Sequence, residues 1–195
     1  MNTQSKAALI NKARRINVVG TSGSGKSTFA RRLASMRGIP SIEMDALFWK
    51  SNWQESTDEE FLPTVQEALV PDAWVLDGNY TRTLPIKWSR TQAVVFLDLP
   101  FHQTVYRVTR RAIQRSLSGA ELWQKPGTVE TLKGTFFSSD SVIWWAITHY
   151  HAKRRKYLNP DLLAEYPDIA FIHLESSAEV ENCLNGLESM QRTSS

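Results

Sequence analysis

Apolar residues in this chain fall into short continuous runs separated by longer amphipathic stretches. Ile16-Asn-Val-Val-Gly20 reads as a buried strand, and Lys26 to Arg37 as a helix with Phe29, Leu33 and Met36 at helical spacing and Gly38 as its stop. Ser41 to Asp45 predicts a second strand, and Thr57 to Val70 a helix opened by Thr57 and Glu60 at capping-box spacing. Trp74 to Gly78 and Ala93 to Leu99 predict further strands, the latter nearly continuous in apolar character, as expected of a strand covered on both faces. Phe101 to Ser118 predicts a long helix. Residues 119–135 contain three glycines and one proline without periodicity and are expected to form a mobile connection. Ser141 to Tyr157 predicts another helix, with Trp144 and Trp145 expected in the core beside Trp74; Ile169 to Leu174 is the last strand and Ala178 to Leu187 the closing helix. Five strands alternating with helices predict a parallel sheet covered on both faces, a three-layer α/β fold. With no internal repeat and no separating linker, residues 1–195 are expected to form a single domain.

Composition narrows the class. At 42% hydrophobic and 22% charged residues the chain is of ordinary globular make-up, which excludes disorder as its main state. A lone cysteine, Cys183, excludes an internal disulfide and a Cys-rich metal module, and fits a reducing, cytoplasmic compartment. The longest apolar run, Val142 to Ile147, is far short of the roughly 20 residues a membrane helix needs. The first fifteen residues are basic but lack the apolar segment of a secretory signal. No acid precedes Glu43, so a transit peptide ending before Gly20 is the lesser alternative.

The net charge of +3 conceals an asymmetry. Residues 1–100 carry 12 Lys and Arg against 10 Asp and Glu, residues 101–157 carry 10 against 3, and residues 158–195 carry 1 against 7. Positive charge concentrated in the middle segment implies an anionic partner: phosphate, nucleic acid or an anionic surface.

Gly20-Thr-Ser-Gly-Ser-Gly-Lys26-Ser27 matches the pattern GxxxxGK[ST] between a strand and a helix. Glycines at 20, 23 and 25 let successive backbone N–H groups point inward, and the helix N-terminus adds its positive dipole end. The loop, with Ser22, Ser24 and Thr28, is therefore expected to cradle the phosphates of ATP. Lys26 would reach the β- and γ-phosphates, and the Ser27 hydroxyl would ligate Mg²⁺. Asp77 and Asp98 end strands without the acidic neighbour of an ATPase motor, and Asn11-Lys-Ala-Arg14 is no base-reading signature because it precedes the loop. What remains is the class that transfers a phosphoryl group to a small acceptor and clamps it with arginines.

The segments GTSGSGKST, MDALFWKSNW, WVLDGNY, VVFLDLP and YRVTRRAIQR resemble the adenylate-kinase-related P-loop proteins termed topology modulation proteins, over residues 16 to 185. The resemblance implies a sheet in nucleoside-kinase order, a lid over the phosphates, which residues 119–135 would supply, and ATP-dependent phosphoryl transfer to an acceptor it leaves unnamed. It implies an acceptor-binding or proton-accepting carboxylate at Asp45, which the pattern puts at the end of the second strand with Glu43 on the same face. Asp77 resembles the adenylate-kinase carboxylate that holds Mg²⁺ through water. Adenylate kinases follow it with Phe-Pro-Arg, the arginine gripping the acceptor phosphate; here Asn79-Tyr-Thr-Arg82 displaces the arginine by one position, which weighs against AMP.

Arg107, Arg111 and Arg115 fall on one face of their helix with Arg110 beside them, and Arg107 and Arg111 are expected to meet ATP phosphates. The bland alternative pairs such arginines with Glu121 or Glu130. Lys153-Arg-Arg-Lys156 reads as a solvated run from which Arg154 could reach the site. Trp49 and Trp53 could wall an acceptor pocket. His149 and His151 do not share a helical face, so no transition-metal site is expected. The first expectation is thus a kinase with ATP and Mg²⁺; the second is a protein whose basic segment 101–157 meets DNA or RNA while ATP only switches its shape.

Overall fold

In the computed structural model, which describes residues 1–131 and 141–194, five strands form one all-parallel sheet. They are β1 (Arg15–Gly20), β2 (Ser41–Glu43), β3 (Trp74–Asp77), β4 (Ala93–Leu97) and β5 (Ala170–Leu174), in spatial order β2-β3-β1-β4-β5. The order explains the apolar pattern. Strands β3 and β4 are buried throughout and β1 nearly so, because each has neighbours on both sides, while the edge strands β2 and β5 are only partly buried.

The helices are α1 (Thr3–Lys12), α2 (Lys26–Arg37), α3 (Met44–Phe48), α4 (Asp58–Ala68), α5 (Leu84–Trp88), α6 (Phe101–Ser118), α7 (Val142–Tyr157), α8 (Pro160–Ala164) and α9 (Ser177–Ser194). Alternation along β4 sends Val95 and Leu97 to a core with α1, α2 and α9, where Ile10, Phe29, Leu33 and Leu184 meet them. Val94 and Phe96 go to the opposite face, against Leu84, Trp88 and Tyr157. A third cluster joins Met44 and Phe48 to Phe61, Val65 and Trp74 at the β2 edge. These layers form a three-layer α/β fold.

Several expectations held: the five strands, the span of α6, the Glu60 carboxylate accepting from the Thr57 amide (3.0 Å) at the start of α4, and the helix predicted over Ser141 to Tyr157, which begins at Val142 with Ser141 as its cap. Others need correction. The N-terminal segment is a helix whose Ala7 and Ile10 are fully buried, so it belongs to the core layer. Strand β2 ends at Glu43, and Asp45 stands in the first turn of α3; the two carboxylates do not share a strand face. Trp144 and Trp145 are 57% and 48% exposed, because the inward stripe of α7 is Ala146, Tyr150 and Tyr157 and both tryptophans lie off it. The closing helix is longer than expected.

Of the expected lid, residues 132–135 lie outside the described residues. Residues 119–131 make a turn closed by the Glu121–Val129 bridge and fastened to residues 46–53. The Trp53 indole donates to the Val129 carbonyl (3.2 Å), the Asn52 amide to the Pro126 carbonyl (2.9 Å), and Lys125 to the carbonyls of Ala46 and Trp49. No helix among the described residues is long and apolar enough to cross a membrane.

Candidate active site

The site is built at the C-terminal edge of the sheet, where β1, β3 and β2 discharge their loops side by side. After Gly20 the chain curls under the start of α6. Gly23, at φ +82°, is so close to α6 that a Cβ there would sit 2.2 Å from the Thr104 carbonyl oxygen. Gly25, at φ +91°, is the N-cap of α2 and offers no side-chain cap, so the first amides of α2 are left for a ligand. The hydroxyls of Thr21 and Ser24 are buried without a hydrogen-bond partner among the described residues. Such groups need an acceptor or donor that the folded chain does not provide.

Lys26 folds back to donate to the Thr21 carbonyl (3.1 Å). Burial lowers its pKa below the usual lysine value, Asp77 and Asp45 oppose that shift, and Arg111 adds to it. The Ser27 hydroxyl donates to Asp77 Oδ2 (2.5 Å), while Asp77 Oδ1 is buried and unpartnered among the described residues. Burial raises the Asp77 pKa against the pull of Lys26 and Ser27, and Asp45 and Glu43 raise it further. The orphaned Asp77 oxygen at the end of β3 and the Ser27 hydroxyl in the first turn of α2, beside a phosphate cradle, are oxygen donors that could hold a hydrated divalent cation. Ser22 and Thr28 complete the loop, half-buried and exposed respectively.

Asp45 accepts a hydrogen bond from the Tyr80 hydroxyl (2.7 Å), and burial together with Asp45 pushes the Tyr80 pKa up, keeping that phenol protonated. The Asn79 side chain pairs with the Gly20 backbone in both directions: its Oδ1 accepts from the Gly20 amide (3.0 Å) and its Nδ2 donates to the Gly20 carbonyl (2.8 Å). The four residues 77–80 thus touch Ser27, Gly20 and Asp45 in succession.

From α6, Arg107 comes within 3.9 Å of where a Gly25 Cβ would be and donates to Ser177 Oγ (3.0 Å). Arg111 is half-buried; burial, then Arg115, lowers its pKa, and Glu130, Asp45 and Asp77 counter them. Arg115 pairs with Glu130 (3.1 Å), and Arg110 is exposed. The structure therefore brings Lys26, Ser27, Asp45, Asp77, Arg107 and Arg111 together.

Other predicted residues are engaged with protein neighbours. Arg82 pairs with Asp58 (2.8 Å) and lies over the rings of Phe48 and Phe61 at 4.9 and 5.2 Å. Trp49 packs edge-on to Phe48 and Trp53. Arg154 is held by Asp98 (2.8 Å), which also meets His173 (2.9 Å). Glu43 faces Arg31 at 3.6 Å.

Three residues near the site were not singled out from the sequence. Tyr80 and Asn79 stand in the DGNY segment, whose polar run at a strand exit was the available signal. Lys153 stands within the field of Lys26 and Asp45, and burial lowers its pKa to about 8. Its signal was weak: it lies on the inward stripe of α7 between Tyr150 and Tyr157, inside a run that reads as solvated.

Comparisons agree with this architecture. A gluconokinase from Sinorhizobium meliloti 1021 superposes with a TM-score of 0.50 at 19% identity, over 91% of this chain and 93% of that one. A sugar kinase from Janibacter sp. HTCC2649 gives a TM-score of 0.46 at 19% identity over 92% of each chain. At these identities the first likeness concerns the fold, and no conclusion is taken from the second. No curated protein matches the sequence significantly. A family model described as an AAA domain matches residues 16–121, which run from β1 through the P-loop and Asp77 to the end of α6. That span is more than half of the sequence and contains the whole phosphate cradle, and on it the chain belongs to the AAA domain family.

Proposed function

We propose that this protein is a kinase that transfers the γ-phosphoryl group of ATP to a small-molecule or nucleotide acceptor, in the manner of the adenylate-kinase-related topology modulation proteins. The observation that carries the reading is the meeting of Lys26, Asp77 and Ser27 with Asp45 at one sheet edge, under two arginines of α6. Residues 20–28 hold the triphosphate through backbone amides. Lys26 leaves the Thr21 carbonyl for the β- and γ-phosphate oxygens, and Arg107 and Arg111 face the charge that develops on the phosphoryl group in transit.

Ser27 and Asp77 would hold Mg²⁺, which when bound neutralises charge on the β- and γ-phosphates. Asp77 must be ionised for this, and Lys26 and Ser27 favour that form. Asp45 is the base: one oxygen is held by the Tyr80 hydroxyl, and the other is left to take the proton of an acceptor hydroxyl. Trp49 and Arg82 would bind the acceptor: both pack on Phe48, whose ring meets Tyr80, the partner of Asp45. Of the lid expected over residues 119–135, the described part, 119–131, is fastened to residues 46–53 and would exclude water from the phosphoryl group of a single-domain enzyme.

The basic segment was also compatible with a nucleic-acid surface. Arg115 and Arg154 are paired with acids, Lys125 with carbonyls, and Arg107 and Arg111 face the phosphate loop. That distribution supports a phosphate clamp over a groove-tracking surface, which needs cations spread across an exposed face.

Two variants separate binding from chemistry. Lys26→Ala should lower acceptor-dependent ADP release by about a hundredfold or more, in the range typical of a lost oxyanion-stabilising group. Asp45→Asn should remove turnover with ATP affinity within about twofold of the parent. Turnover surviving in Lys26→Ala overturns the assignment of the loop; loss of ATP binding together with folding in Asp45→Asn overturns the assignment of the base.

A further inference from the structure

Lys87, on α5, is fully buried, yet among the described residues no carboxylate pairs with it. Its Nζ donates to the carbonyls of Gly78 (3.2 Å) and Asn79 (2.7 Å), with Met44 Sδ 4.0 Å away. Burial drives its pKa well below the usual lysine value, and Lys156 and Lys153 add repulsion. An amine in this setting is unfavourable for stability compared with an apolar side chain of similar volume, so its presence points to a task other than packing.

The two carbonyls identify the task. They belong to the segment leaving β3, whose Gly78 amide donates to the Val18 carbonyl (3.2 Å) as the end of the parallel ladder. Beyond that bond the Asn79 side chain continues the ladder onto Gly20. Asp77 precedes the two clamped residues and reaches Ser27; Tyr80 follows them and reaches Asp45.

We infer that Lys87 is a positioning residue: by holding the carbonyls of Gly78 and Asn79 it fixes the turn that sets the phosphate loop and the acceptor carboxylate in one register. Its effect on turnover rests on the kinase reading above, whereas the clamp itself exists without a nucleotide. Each carbonyl has a second partner, Asn17 Nδ2 on Gly78 (3.2 Å) and the Tyr157 hydroxyl near Asn79 (3.5 Å), so removing the amine leaves neither one bare.

The test compares Lys87→Met, Asn79→Ala and the double variant by amide hydrogen exchange without ligand, thermal midpoint and ATP affinity. Lys87→Met should melt at or above the parent temperature. Its Gly20 and Gly78 amides should nevertheless exchange at least about tenfold faster, and ATP should bind about threefold to tenfold more weakly. Asn79→Ala should reproduce the ATP defect, and the double variant should bind no more weakly than the weaker single one, because both act through one linkage. A lower midpoint with unchanged ATP affinity in Lys87→Met would make the lysine structural only and overturn the inference, as would unchanged exchange at those two amides. Faster local exchange in a protein that transfers no phosphoryl group would sustain the clamp and reject the kinase reading.

Discussion

Asp45 and Tyr80 show how little of a site a linear reading can see. Asp45 drew attention as the expected end of the second strand, where parallel sheets present ligand groups, and through the resemblance that gives it a role; it stands instead in the first turn of α3. Its partner was not visible, because the Tyr80 hydroxyl reaches it across 35 residues of sequence, and nothing in the spacing encodes that distance. A phenol donating to one carboxylate oxygen fixes the orientation of the other. Tyr80→Phe should therefore lower kcat about tenfold with the ATP KM unchanged, by the loss of one hydrogen bond to a charged group. Steady-state kinetics with ATP and acceptor varied separately would check this split. Arg82 shows the same limit from the other side: its charge was visible in the motif, whereas its engagement with Asp58 and the rings of Phe48 and Phe61 depends on contacts that the spacing does not encode.

At the scale of elements, the phosphate loop was the most legible feature, because its glycines answer to local sterics. The hydrophobic periods also placed β1, β3, β4 and α6 within a residue or two, since burial on both faces or along one stripe leaves an unambiguous pattern. The short helices α3, α5 and α8 have five residues each, too few to establish a period, and α1 was passed over because its apolar face is narrow. Contact between loop and helix gives a sharp expectation. A methyl at position 23 must displace the Thr104 carbonyl and hold a positive φ, so Gly23→Ala should destabilise the fold by about 1–3 kcal/mol. It should also weaken ATP binding, whereas Gly38→Ala, with open space around it, should cost only its φ strain. Denaturant melts and ATP titrations of the two variants would distinguish these outcomes.

Across the whole molecule, the charge asymmetry that first suggested an anionic partner resolves into two uses. One group of cations surrounds the phosphate loop, and another ties the layers together. Asp98, whose side chain is 2% exposed, joins the end of β4 to Arg154 on α7 and His173 on β5. Burial alone would raise its pKa, but the hydrogen bonds from His173 and Arg154 outweigh it and hold the carboxyl below its ordinary value. A depressed carboxylate stabilises the fold at pH above the unfolded value and loses that contribution as pH falls through the folded one. Asp98→Asn should thus lower stability by about 1–3 kcal/mol at pH 7, with the difference shrinking below about pH 4. Thermal melts of both proteins from pH 7 to pH 3 would show it.

The central claim is that the phosphate loop and Asp45 form one phosphoryl-transfer site, and following the γ-phosphate of labelled ATP tests it most directly. Incubated with Mg²⁺ and a panel of nucleoside monophosphates, nucleosides, sugars and small hydroxy acids, the protein should move the label onto one acceptor class, with ADP released in equal amount and both signals lost in Lys26→Ala. Label that passes only to water at the same rate with every acceptor, or transfer that survives in Lys26→Ala, would contradict the account.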